Sequence, residues 1–198
     1  PLVALYDMHG VPGAWHAFVR LDDLTYLAFA QVPGVEHVPS TVGLTHAGTG
    51  AGFSAPGTMQ HVAFRVADED ELLALRDRLR SNGIVVMGPI DHGMCLSIYF
   101  AGPDQMTLEV ATSGAALDPA QWIDPAVLAK AGISPQEAAR FTAPAPYQGP
   151  SPVPQPQYDA AKPHMVYPPE IYQQILATPD EVMTARFSYT QPPVTTEH

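Results

Sequence analysis

The apolar positions of this chain change period several times, and each change marks an element. Residues 1–32 alternate in the manner of strands: "LVALYDM" is one, and "AWHAFVRLDDLTYLAFAQ" reads as a hairpin with Asp22-Asp23 at or near its turn. Residues 33–60 are rich in Gly, Pro, Ser and Thr and predict a connecting loop. "HVAFRV" returns to alternation, with β-branched and aromatic residues, and predicts a strand. The period then lengthens: Leu72, Leu75 and Leu79 fall on one helical face, with Leu73 beside them. Asp68 reads as the N-cap of that helix, Glu71 completes a capping box, and Asn82-Gly83 ends it. "IVVMG", "CLSIYF" and "MTLEV" follow as strands, the last two joined by a turn around Gly102-Pro103-Asp104. Residues 61–112 therefore predict one strand, one helix and three further strands.

Residues 1–32 repeat the last three strands of that unit, without its first strand and helix. "LTYLAFA" lies where "MTLEVAT" lies, with Ala28 in the place of Glu109. After Thr112 the pattern changes. "DPAVLAK" and "SPQEAAR" read as short helices, the second with Ser134 as cap, Pro135 in its first turn and Glu137 closing a capping box. Residues 144–163 carry seven prolines and few large aliphatics, so they cannot pack a core and should be extended. "PEIYQQILA" and "DEVMTAR" are short helices beyond. The expected division is 1–112 as a domain, made of a partial first unit (1–32), a connecting loop (33–60) and a complete second unit (61–112). Residues 113–198 form a C-terminal extension, an arm lying over this subunit or a neighbour, with a disordered tail as the alternative.

Composition narrows the function classes. Nine Lys and Arg against 20 Asp and Glu give a formal charge of −11, which opposes binding to nucleic acid or an anionic membrane surface. No run of about 18 apolar residues is present, so no transmembrane helix is expected. No signal peptide is visible, although the chain opens at Pro1. The single Cys95 rules out an internal disulfide framework and suits a reducing cytoplasm.

One apolar strand raises a chemical question. In "MTLEVAT" the carboxylate of Glu109 sits between Leu108 and Val110. A buried, unpaired carboxylate costs several kcal/mol, so it requires a partner, and a cation is the simplest one. His61 opens the first strand of the same unit, 48 positions earlier. If the two strands are neighbours in a curved sheet, both side chains can converge on its concave face. Imidazole and carboxylate together suit a divalent first-row metal.

Here the residues carry a resemblance. A strand–helix–three-strand unit preceded by a partial copy, with His on its first strand and Glu on its last, resembles the vicinal oxygen chelate superfamily. That group includes glyoxalases, fosfomycin-resistance proteins and extradiol ring-cleaving dioxygenases. The stretch "IDHGMCLSIYFAGPDQMTLE" looks most like the extradiol signature, supplying His92, Ile98-Tyr99, Pro103 and Glu109. It departs at the turn, where Gly102 replaces an acidic or small polar residue and Gln105 replaces Gly.

The resemblance implies an α+β vicinal oxygen chelate fold: paired βαβββ units forming a curved mixed sheet, with the Pro-rich arm as an addition. It implies His61 and Glu109 as metal ligands, with His92 and Tyr99 contacting substrate. The third ligand it implies is a His on the first strand of the first unit, which with its helix would lie before Pro1; the chain thus reads as beginning inside a domain. Ala28, where a glyoxalase-type site often places a fourth ligand, weighs toward three ligands. His16 shares a face with Phe18 if Phe18 pairs with Ala28; it would then line the pocket, donate to substrate or substitute as a ligand. A structural strand His is the equal alternative. Ring-cleaving members also carry a His near the start of the strand holding Ala28, and "DDLTYLAF" has none.

The implied activity is ring cleavage of a catechol-like or other oxygen-chelating small molecule. A divalent metal would hold vicinal substrate oxygens, Fe2+ being the first choice and Mn2+, Zn2+ or Ni2+ the alternatives. His92 would act as an acid–base group, imidazole ordinarily titrating near neutrality, and Tyr99 would position a substrate oxygen. The alternatives are a glyoxalase-type lyase or isomerase, and a non-catalytic binding protein of the bleomycin-resistance kind. A homodimer is expected. His9, His37, His46, His164 and His198 lie in loops or the tail and read as solvated.

Overall fold

A computed structural model describes residues 1–114 and 116–194. The chain divides into two compact units, one comprising Pro1–Val38 and the chain from Tyr147 onward, the other Pro39–Pro146. His198 lies outside the described residues.

The second unit is built on a mixed sheet ordered β4-β7-β6-β5, from β4 (Val62–Val66), β5 (Val86–Asp91), β6 (Leu96–Ala101) and β7 (Thr107–Thr112). β4 runs parallel to β7, while β5–β6 and β6–β7 are antiparallel. A parallel pair needs a crossover, and α1 (Glu69–Ser81) supplies part of it. Leu72 of α1 is fully buried with Ile98, beside Val86 and Val110; Phe64, Val66, Leu75, Leu79 and Phe100 complete the core. Apolar residues thus fill one face of the sheet, and the alternation of strands sends their neighbours to the other.

The start of α1 departs from the expected cap in one bond. Asp68 accepts from the Glu71 amide at 2.9 Å, as expected, but the Glu71 carboxylate turns back to the amide of Ala67 rather than that of Asp68. β5 also begins and ends later than "IVVMG" predicts. Its pairing with β6 shifts between Met87 and Ile90, and Gly88 sits there at φ +106° with its α-carbon against the Ser97 carbonyl. The irregularity lets the strand run through Gly88-Pro89 to Asp91. Between β6 and β7 the chain turns through Pro103–Gln105, with Asp104 at φ 54° and Gln105 at φ 62°. The left-handed Gln105 occupies the place of the Gly in the resembling signature, which accounts for that glycine.

Beyond β7 come α2 (Pro119–Trp122), α3 (Pro125–Lys130) and α4 (Pro135–Thr142). The capping box of α4 forms in both directions between Ser134 and Glu137. The single turn α2 was not legible, being too short to show a period. The 33–60 segment is more structured than a plain linker. His46 pairs with Val42 in an isolated bridge and is only 8% exposed, contrary to its expected solvation, with its Nδ1 3.0 Å from the Thr45 hydroxyl and 3.3 Å from the Ser40 hydroxyl inside the loop.

The first unit holds an antiparallel sheet ordered β1-β2-β3, from β1 (Leu2–Asp7), β2 (Trp15–Arg20) and β3 (Tyr26–Gln31). Asp22 caps the β2–β3 turn by accepting from Leu24 and Thr25 amides at 2.9 Å. Phe18 pairs with Ala28 and His16 with Ala30, so His16 and Phe18 share a face. The order and pairing match β5-β6-β7, the repeat read from the sequence. The Pro-rich stretch has no helix or strand until α5 (Pro169–Ala177) and α6 (Asp180–Phe187). Tyr189 then returns to the first sheet, its hydroxyl accepting from the His9 amide at 2.8 Å and its ring 5.7 Å from that of Tyr6.

Candidate metal centre

The face of the second sheet opposite α1 carries the polar residues. Ala63 and Tyr99 both pair with Glu109, so the three side chains form a row across β4, β7 and β6. Ser97 lies two positions before Tyr99 on the same face, and His61 two before Ala63. The sheet thereby gathers three polar groups from β6 and β7 and a fourth, His61, from the residue before β4, although 48 positions separate His61 from Glu109.

Glu109 is 7% exposed, and His61, the side chain expected to converge with it, has its Nε2 2.8 Å from Glu109 Oε2. Burial opposes ionisation of Glu109, but the Ser97 and Tyr99 hydroxyls and the His61 imidazole outweigh it, leaving its pKa below the ordinary carboxylate value. Burial first, and then the Glu109 carboxylate, push the Tyr99 phenol upward, so it stays protonated and able to donate. The ring of Tyr99 stands between two imidazoles, its centroid 6.1 Å from that of His61 and 6.2 Å from that of His92. His92 is exposed in the β5–β6 turn, with Nε2 3.1 Å from the Tyr99 hydroxyl.

His61, Glu109, Tyr99 and His92 are thus brought together on one sheet. His16 stands on β2 in the other unit, edge-on to Tyr6 at 5.9 Å and Phe18 at 5.8 Å between centroids. Sequence reasoning missed Gln60, whose Oε1 meets His61 Nδ1 while its Nε2 donates to the carbonyls of Thr49 at 3.0 Å and Gly52 at 2.9 Å. A polar residue before a strand gives no signal of such a role.

The donor set fits a divalent cation in part. With metal–donor bonds of about 2.1 Å, adjacent corners of an octahedron are roughly 3.0 Å apart. The 2.8 Å between His61 Nε2 and Glu109 Oε2 is close to that edge. Among the described residues no group of three or more His, Cys, Asp and Glu side chains is placed to hold a metal, so this pair offers two corners and leaves the others open. No helix among the described residues is long and apolar enough to cross a membrane.

A family model, the Glyoxalase/Bleomycin resistance protein/Dioxygenase superfamily, matches residues 4–110. No curated protein matches the chain. An integron cassette protein from the mobile metagenome of the Halifax Harbour sewage outfall is similar at 30% identity, over 30% of this chain and 54% of its own, with a TM-score of 0.25. The genomically encoded fosfomycin resistance protein FosX of Listeria monocytogenes is similar at 26% identity, over 28% of this chain and 47% of its own, with a TM-score of 0.25. A Bacillus subtilis protein described as a candidate dioxygenase is similar at 24% identity, over 40% of this chain and 30% of its own, with a TM-score of 0.31. The chain spans about half the length of the first two of these structures.

Proposed function

The chain belongs to the glyoxalase/bleomycin resistance protein/dioxygenase superfamily, and from that premise we propose that it is a metal-dependent enzyme acting on a small molecule with two vicinal oxygens, by ring cleavage of the extradiol type. Members of this superfamily typically bind a divalent metal. The observation that carries the reading is the buried Glu109 carboxylate held 2.8 Å from an imidazole nitrogen of the residue that precedes the neighbouring strand β4.

In this reading His61 Nε2 and Glu109 Oε2 hold the metal, Fe2+ before Mn2+, Zn2+ or Ni2+. When bound it supplies Lewis acidity and a template for adjacent substrate oxygens. The remaining chemistry belongs to the chain. Tyr99, kept protonated by burial and by Glu109, donates to a substrate oxygen and fixes its orientation. His92 Nε2, 3.1 Å from that phenol, takes up the proton a substrate hydroxyl releases. His16 keeps the role of lining the pocket or donating to substrate, with a structural strand histidine as the equal alternative. The protein works as a homodimer in a reducing compartment, which its free Cys95 suits.

The test is anaerobic titration with Fe2+ and Mn2+, followed by oxygen uptake with catechols. Wild type should bind about one equivalent, and His61→Ala and Glu109→Ala should each weaken binding by at least tenfold. Absence of binding by the wild type rejects the metal reading. The lack of a His in Tyr26–Gln31 favours a second reading, a glyoxalase-type lyase or isomerase on the same donors. Turnover without oxygen uptake would select it. Small-molecule affinity indifferent to both alanine variants would instead mark a non-catalytic binding protein.

A further inference from the structure

We propose that Gln60 is a positioning residue, which fixes the tautomer of His61 and ties it to the 49–52 loop that also contacts Tyr99. The inference deepens the reading of His61 as a metal donor and rests on it for its functional meaning. Its geometry stands alone.

The orientation of the Gln60 amide is settled by its surroundings. Both hydrogens of Nε2 have acceptors, the Thr49 and Gly52 carbonyls. Rotating the amide by half a turn would set Oε1 against two carbonyl oxygens, which only accept. Oε1 therefore faces His61 Nδ1, and an amide oxygen can only accept, so Nδ1 carries a hydrogen. Nε2 is then the nitrogen turned toward Glu109 Oε2 across 2.8 Å. A gap of that length is bridged either by a proton or by a metal ion in the proton's place. Gln60 thus presents Nε2, rather than Nδ1, to the position where the proposed metal would replace that proton.

The loop end of the arrangement reaches the substrate-contacting side. Gly50 packs on the Tyr99 ring so closely that a β-carbon there would sit 3.2 Å from Cδ1 and 3.3 Å from Cε1. Within the same turn the Gly52 amide donates to the Thr49 carbonyl at 3.2 Å. One side chain therefore anchors the loop over Tyr99 and sets the chemistry of the neighbouring imidazole.

Two variants separate these roles. Gln60→Met removes both the acceptor and the donor at nearly constant size. Gln60→Glu keeps an acceptor for Nδ1–H but cannot donate to the two carbonyls. Nitrogen-15 NMR of the metal-free protein reads the His61 tautomer, and hydrogen exchange at the Gly52 amide reads the loop. The wild type and Gln60→Glu should both hold a hydrogen on Nδ1, and Gln60→Met should lose it there while Nε2–H donates to Glu109. Gly52 should exchange faster in both variants. Mn2+ affinity should fall about 10- to 100-fold in Gln60→Met and less in Gln60→Glu. If both variants loosen the loop while His61 keeps one tautomer throughout, Gln60 merely holds the loop and the proposal falls. A wild type that binds no Mn2+ yet shows the tautomer change would reject the metal reading and leave the Gln60 assignment standing; Gln60→Glu retains an informative readout should Gln60→Met fail to fold.

Discussion

Glu109 is the residue whose environment does most, and its ionisation has a measurable consequence for folding. Its native pKa lies below the ordinary value, so the unfolded chain takes up a proton at this group before the folded one does. The stabilisation it contributes is fully present above about pH 4.3, the unfolded value, and is lost as pH falls through the lower native one. Urea unfolding of wild type and Glu109→Gln between pH 7 and pH 3 should show this: the stability difference shrinks below about pH 4.3. A pH-independent difference would place the effect elsewhere. A second expectation concerns Gln105, held at φ 62° without the freedom of a glycine. Left-handed backbone costs an L-residue about 1–2 kcal/mol, part of which the greater unfolded freedom of glycine offsets. Gln105→Gly should stabilise the protein by about 0.5–1 kcal/mol in chemical unfolding, with metal affinity unchanged.

At the scale of elements, α1 and its sheet carry the core of the second unit. Ile98 is fully buried between them, and Ile98→Ala should cost about 2–5 kcal/mol, read as a lower urea midpoint at unchanged slope. The strands and helices around this core were legible because each kept its own period: Leu72, Leu75 and Leu79 on the helix, Ile98 and Val110 alternating with Tyr99 and Glu109 on the strands. The convergence of His61 and Glu109 was legible too, since a carboxylate amid aliphatics demands a partner, although the partner read from the sequence was a cation shared by both rather than the imidazole itself. What stayed hidden depended on backbone carbonyls far along the chain. Gln60 takes its meaning from Thr49 and Gly52, and His46 its burial from a loop whose path no periodicity records. The bulge at Gly88 was equally silent, because Gly-Pro reads as an end of strand whichever way the chain continues.

At the scale of the molecule, the C-terminal arm has a defined landing point. Tyr189 bonds the His9 amide at 2.8 Å and packs on Tyr6 and His9. Removing one such hydrogen bond costs about 1 kcal/mol, or a roughly fivefold change in a local opening equilibrium. Tyr189→Phe should therefore speed exchange of the His9 amide about fivefold, and Tyr189→Ala more, since the ring contacts go as well. Exchange at His9 unaffected by either variant would show that the arm's end does not rest on β1.

The parallel pairing of β4 with β7 has a consequence for how the protein acquires its chemistry. His61 and Glu109 are 48 positions apart, so neither hairpin of the second unit contains both. They meet only when the most distant strands of the unit have closed on one another, the step that loop-closure entropy makes slowest. A cation that needs both donors can recognise only a chain that has finished that step. Under the proposed metal reading, its capture would report on completed topology and by mass action would draw late folding intermediates toward the native state.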